Sequence, residues 1–87
     1  MIEIKYPPNT KEYVVSCEFA AKPRRPEDLS TELKDRGVTS RAAFYRVLKR
    51  IKKDSVIYPI SEQERKTIWV DRQRWKYFEG KILFRQR

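Results

Sequence analysis

Between Arg41 and Lys53 the chain carries six cations, Arg41, Arg46, Lys49, Arg50, Lys52 and Lys53, and no acid. Placed on a helix of 3.6 residues per turn, Ala43, Phe44, Val47, Leu48 and Ile51 close into one apolar stripe. The cations and Tyr45 fill the rest of the circumference. Such a helix has one face to bury and one to offer to something strongly negative. The chemistry on offer is recognition: guanidinium and ammonium groups pair with phosphate oxygens, and a guanidinium can also pair bidentately with a guanine edge.

Other chemistries lack their residues. There is no histidine, a single cysteine (Cys17) and only two glycines. An imidazole-ligated or Cys-Cys metal site, a phosphate-cradling glycine loop and a nucleophile–base pair are therefore not expected. Glu62 and Glu64 fall in a polar stretch that offers no burial to shift a pKa. We expect no enzyme and no cofactor. One cysteine excludes an internal disulfide and suits a reduced, cytoplasmic (intracellular) setting, with Cys17 as a small buried residue. No apolar run is long enough to span a bilayer. The apolar stripe of the basic segment is needed for a core, which leaves little to insert into lipid, so a membrane partner is not expected.

The charge of the whole chain agrees. Of 87 residues, 21 are Lys or Arg and 12 Asp or Glu, a net +9. Residues 1–40 hold seven of each sign, so the entire excess lies in residues 41–87. Charge kept only for solubility would be interleaved along the chain; one-sided basic charge points to a polyanionic partner.

The elements that position this segment follow from local pattern. One domain of this length is near the lower limit for a single core, and two Trp, five Tyr and four Phe help it. Met1–Tyr6 alternates apolar and charged residues, the period of a half-buried strand ended by Pro7-Pro8. Asn9 with Glu12 reads as a capping box, favouring a helix over residues 13–22 although its β-branched residues suit a strand. Pro23-Arg-Arg-Pro26 is a stiff connector. Pro26, followed by Glu27 and Asp28, starts a second helix with Leu29 and Leu33 inward and Gly37 as its left-handed stop. Thr39 or Ser40 caps the basic helix.

Beyond Lys53 the period shortens. Val56–Ile60 and Thr67–Val70, separated by polar Ser61–Lys66, predict a β-hairpin with a charged tip, and Pro59 assigns an edge. Trp75, Phe78 and Ile82 share a face if the tail is helical, and that face suits a homodimer contact; a short hairpin around Glu79-Gly80 is the alternative.

The order helix, helix, turn, basic helix, hairpin resembles the winged helix-turn-helix domains of small transcription regulators. The resemblance spans about residues 26–71 and is carried by Phe44–Ile57, a basic helix running into an apolar pair that opens a wing. Two features depart from the pattern: Lys34–Gly37 lengthens the second helix or its turn, and Ser55 stands where a glycine is frequent. The resemblance implies an α+β winged helix-turn-helix in one domain, 1–87: a helix-turn-helix at about 26–53, a wing at about 55–71 and a C-terminal element at 72–87.

It also implies sequence-specific binding of double-stranded DNA with the basic helix in the major groove. Base readout falls to Arg41, Ala42, Tyr45, Arg46 and Lys49, and phosphate contacts to Thr39, Ser40, Lys52, Lys53, Arg65 and Lys66. Arg72, Arg74 and Lys76 extend the basic surface. Trp69, Trp75 and Phe78 read as core in preference to platforms for unpaired bases. The alternative function is an RNA-binding or protein-interaction module on the same fold, within a ribosomal, replication or transcription assembly.

Overall fold

The computed structural model describes residues 3–63 and 66–75, with backbone only for residues 61–63 and 66. Three helices precede an antiparallel hairpin: α1 (Lys11–Ala21), α2 (Pro26–Asp35), α3 (Arg41–Lys53), β1 (Ile57–Gln63) and β2 (Lys66–Asp71), then a 3₁₀ turn at Arg72–Arg74. This α+β layout is compatible with a winged helix.

Each helix begins and ends for a local reason. Thr10, not Asn9, caps α1: its hydroxyl oxygen accepts from the Tyr13 amide at 3.2 Å and donates to the Pro7 carbonyl at 2.8 Å. The hydroxyl thus ties the diproline turn to the helix start, which an Asn9 cap one residue earlier would not do. Pro26 opens α2 with Glu27 and Asp28 in its first turn. Ser40 caps α3, accepting from the Ala43 amide at 3.2 Å.

Both α2 and α3 end in the same motif. Val38 N–H donates to the Leu33 carbonyl and Gly37 N–H to that of Lys34; Val56 N–H donates to Ile51 and Ser55 N–H to Lys52. Each is a Schellman closure, with the residue after the cap in the left-handed region: Gly37 at φ 72° and Ser55 at φ 59°. Serine therefore occupies the position that glycine fills without steric cost. Ser55→Gly is expected to raise stability by about 0.5–1 kcal/mol, the left-handed penalty less the entropy of glycine. Gly37→Ala should lower it by about 1 kcal/mol. Urea midpoints at unchanged slope measure both.

Phe19 of α1, Leu29 and Leu33 of α2, Phe44 and Ile51 of α3 and Val70 of β2 are fully buried, and Ile57 of β1 closes the hairpin onto this core. The whole predicted stripe of α3 is inside. Glu3–Tyr6, expected as a strand, is not one: it has no ladder partner. Tyr6 instead turns into the core and donates its hydroxyl to Asp54 Oδ2 at 2.8 Å. Burial, with the Asp54 hydrogen bond second, pushes the Tyr6 phenol up to about 12. Cys17, expected inside, is half-buried.

The hairpin is longer than its apolar runs. Pairing extends through Ser61↔Ile68, Glu62↔Thr67 and Gln63↔Lys66, so most of the stretch predicted as a tip is ladder. Strand pairing needs only backbone groups, so polar residues can continue it. A bulge places Ile60 as an extra residue between the Pro59↔Trp69 and Ser61↔Ile68 pairs, beside the proline that has no amide to donate. The connector between α1 and α2 also joins the sheet. Arg24 and Trp69 exchange two backbone hydrogen bonds of 2.9 Å, a one-residue third strand across the hairpin.

Arg24 is held in place by Glu18 at 2.9 Å and by Glu32, so the connector, α1 and α2 share one ionic cluster. At the far end, buried Asp71 accepts from the Gln73 amide at 2.8 Å and starts the 3₁₀ turn. Burial raises its carboxyl pKa, opposed by that amide and by Arg74. Arg74 donates to the Ala20 carbonyl at 2.7 Å, which fastens the turn to α1. Phe78, Ile82 and the Glu79-Gly80 alternative lie outside the described residues, and with them the proposed dimer face.

Candidate nucleic-acid interface

α3 is the scaffold of the site. Its buried stripe packs against α1, α2 and the hairpin, so the opposite half of its circumference is presented outward. Arg41, Ala42, Tyr45, Arg46, Lys49, Arg50, Lys52 and Lys53 are all exposed. All five residues predicted for base readout therefore share one outward arc. Across that arc, at 100° per residue, the order runs Arg41, Lys52, Tyr45, Lys49, Ala42, Lys53, Arg46, Arg50. With side chains, a helix is about 10–12 Å across, matching a major groove about 12 Å wide.

The phosphate candidates divide. Ser40 is exposed at the start of α3, with its hydroxyl engaged as the cap. Thr39 is turned inward, 7 % exposed, and its hydroxyl donates to the Ser40 carbonyl at 3.2 Å. It shapes the turn and does not reach the outer face. Lys53 is exposed, whereas Lys52 lies with Nζ 4.5 Å from the centre of the Trp69 ring. Lys66 belongs to β2, Arg65 lies outside the described residues, and so does Lys76. Arg72 is exposed; Arg74 is committed to α1.

The two flanks of α3 differ. On one side a cleft of about 320 Å³ runs between α3, the start of α2 and β2, lined by Pro26, Glu27, Tyr45, Leu48, Lys52, Thr67 and Trp69. On the other a cleft of about 500 Å³ separates α3 from the start of α1, lined by Thr10, Lys11, Glu12, Ala43, Arg46, Val47 and Arg50. Arg50 is 3.6 Å from Glu12 and 4.0 Å from Asp54, with its guanidinium 5.9 Å from the centre of the Tyr6 ring. Sequence reasoning placed Arg50 on the basic face but missed Lys11, which belongs to a helix far away in the chain and carries no local signal.

The aromatic residues keep mainly structural posts. Trp69 is half-buried against the core. Trp75 stacks on Tyr58 with ring centres 4.8 Å apart and planes 26° apart, on the outer side of the hairpin. Tyr45 is 40 % exposed and meets the edge of Phe44 at 5.3 Å, an aromatic foot on the core beneath an outward hydroxyl.

Among the described residues, no group of three or more His, Cys, Asp or Glu could hold a metal ion, and no helix is long and apolar enough to cross a membrane. No protein-family model matches the chain, and no curated protein or solved structure matches it significantly.

Proposed function

We propose that this chain is a sequence-specific double-stranded DNA-binding protein, a small transcription regulator that inserts α3 into the major groove. The observation that carries the reading is the outward arc of α3: five exposed cations from Arg41 to Lys53, plus Lys52 at its edge, without one acid. In this reading Arg41 and Arg46 pair bidentately with guanine, Ala42 meets a thymine methyl, Lys49 reads a base edge and Lys53 meets a phosphate. The capped, buried inner stripe supplies rigidity, so little ordering of α3 is left to be done on binding.

The test is a titration of the protein against a fluorescent duplex at 50 and 200 mM salt, with a matched structured RNA as competitor. Six phosphate-neutralising contacts predict a loss of about a thousandfold in affinity over that range. A steep salt dependence with resistance to RNA competition supports the DNA reader. Preference for RNA, or failure to bind either, ends it in favour of an assembly module on the same fold.

A further inference from the structure

We propose that the phosphodiester backbone crosses α3 on its α1 flank, held by Lys11 and Arg50, and that the α2–hairpin flank stays clear of it. The inference rests on the nucleic-acid reading above and adds which edge of the basic arc meets the phosphates. Three observations carry it.

The first is the composition of the two clefts. The α1 cleft gathers three cations, Lys11, Arg46 and Arg50, against one acid, Glu12. Among the described residues, the α2–hairpin cleft gathers one cation, Lys52, against one acid, Glu27. An approaching polyanion is attracted to the first and gains nothing from the second.

The second is how the cations are engaged. Lys52 rests over the Trp69 ring and would have to leave it to meet a phosphate. Arg50, 64 % exposed, meets Glu12 at 3.6 Å, Asp54 at 4.0 Å and the centre of the Tyr6 ring at 5.9 Å, loose surface contacts of the kind that contribute little and are readily exchanged for a phosphate.

The third is the surface beyond each flank. Past Lys52 the chain presents the start of α2, where exposed Glu27 lines the cleft; Asp28 and Glu32 are paired with Arg25 and Arg24. A backbone laid along that side would run beside the Glu27 carboxylate. Past Arg50 it meets Lys11 and the exposed Pro7–Asn9 turn, which holds no acid.

The experiment compares Lys11→Gln, Arg50→Gln, Glu12→Gln and Lys52→Gln by duplex affinity at 0.15 M salt. Amide NMR titrations of the wild type with the same duplex and with inorganic polyphosphate accompany it. Lys11→Gln and Arg50→Gln should each weaken binding about three- to tenfold and reduce the salt slope by about one. Glu12→Gln should tighten binding severalfold by releasing Arg50, although it removes an acid from the first turn of α1; a purely structural role would not raise affinity. Lys52→Gln should stay within about twofold, since its ammonium rests over the Trp69 ring on the flank that the backbone does not cross.

The inference is overturned if Lys52→Gln weakens binding as much as Arg50→Gln, if Glu12→Gln leaves affinity unchanged, or if duplex shifts concentrate at Lys52 and Thr67. That last pattern would leave the DNA reading standing. Polyphosphate shifting Lys11 and Arg50 without any duplex binding would keep the anion-binding flank and end the nucleic-acid reading. Shifts from neither anion would end both.

Discussion

Phe44→Ala is expected to remove a large share of the stability of this domain. Phe44 is fully buried at the centre of α3, in the cluster that joins Phe19, Leu29, Leu33 and Ile51. Truncating such a ring costs about 3–5 kcal/mol, the transfer of the lost surface plus the cavity left behind. A domain of this size has about 4–13 kcal/mol in total. The melting temperature should fall by about 20 °C or more, and at the lower end of that range the variant is unfolded at 25 °C. Its neighbour supplies the control. Tyr45→Ala, at an exposed position on the same turn, should cost less than about 1 kcal/mol. Thermal circular dichroism on the pair decides the matter; equal, small losses would mean that α3 does not rest on the core by the stripe described.

The second large effect concerns binding. Arg46→Ala with Lys49→Ala should weaken duplex affinity about 100-fold at 0.15 M salt while leaving the melting temperature within about 2 °C. Both side chains are exposed and lack core contacts, so folding has little to lose. A bidentate arginine on a base contributes about 1–3 kcal/mol of discrimination, and a lysine on a phosphate changes the salt slope by about one. The two losses differ in kind. Arg46→Ala alone should relax preference at one base pair, whereas Lys49→Ala alone should weaken all duplexes alike if it meets a phosphate. Selection of preferred sites from a random pool, repeated with each single variant, separates them. Unchanged affinity for the double variant would remove α3 from the groove.

These two expectations draw on features that local pattern already contained. A helix with period 3.6, one apolar stripe and no acid on its other side has few ways to sit in a protein, so the burial of Ala43, Phe44, Val47, Leu48 and Ile51 follows from spacing. The Pro26 start, the Gly37 stop and a cap at Thr39 or Ser40 follow from the hydrogen-bonding and φ requirements of helix ends, and the structure settles the cap on Ser40. Ser55 shows the limit of such reading. Its left-handed φ is imposed by the Schellman closure from Ile51 to Val56, and serine by itself does not announce it.

Legible in local pattern, then, were the three helices, the start and stop of α2, the two apolar runs of the hairpin and the basic face of α3, whereas the cap of α1 fell one residue later than expected, at Thr10. Tertiary structure alone decided the rest. It turned Tyr6 inward to Asp54 where alternation had suggested a strand, since a strand exists only where another chain segment offers a ladder. It brought Arg24 against Trp69 and carried the ladder through polar Ser61–Gln63. It drew Thr39 inside, set Lys52 over Trp69, and placed Lys11 beside Arg50. Each of these joins residues distant in the chain or depends on which surface a neighbour covers, and composition and period report only what adjacent residues do to one another.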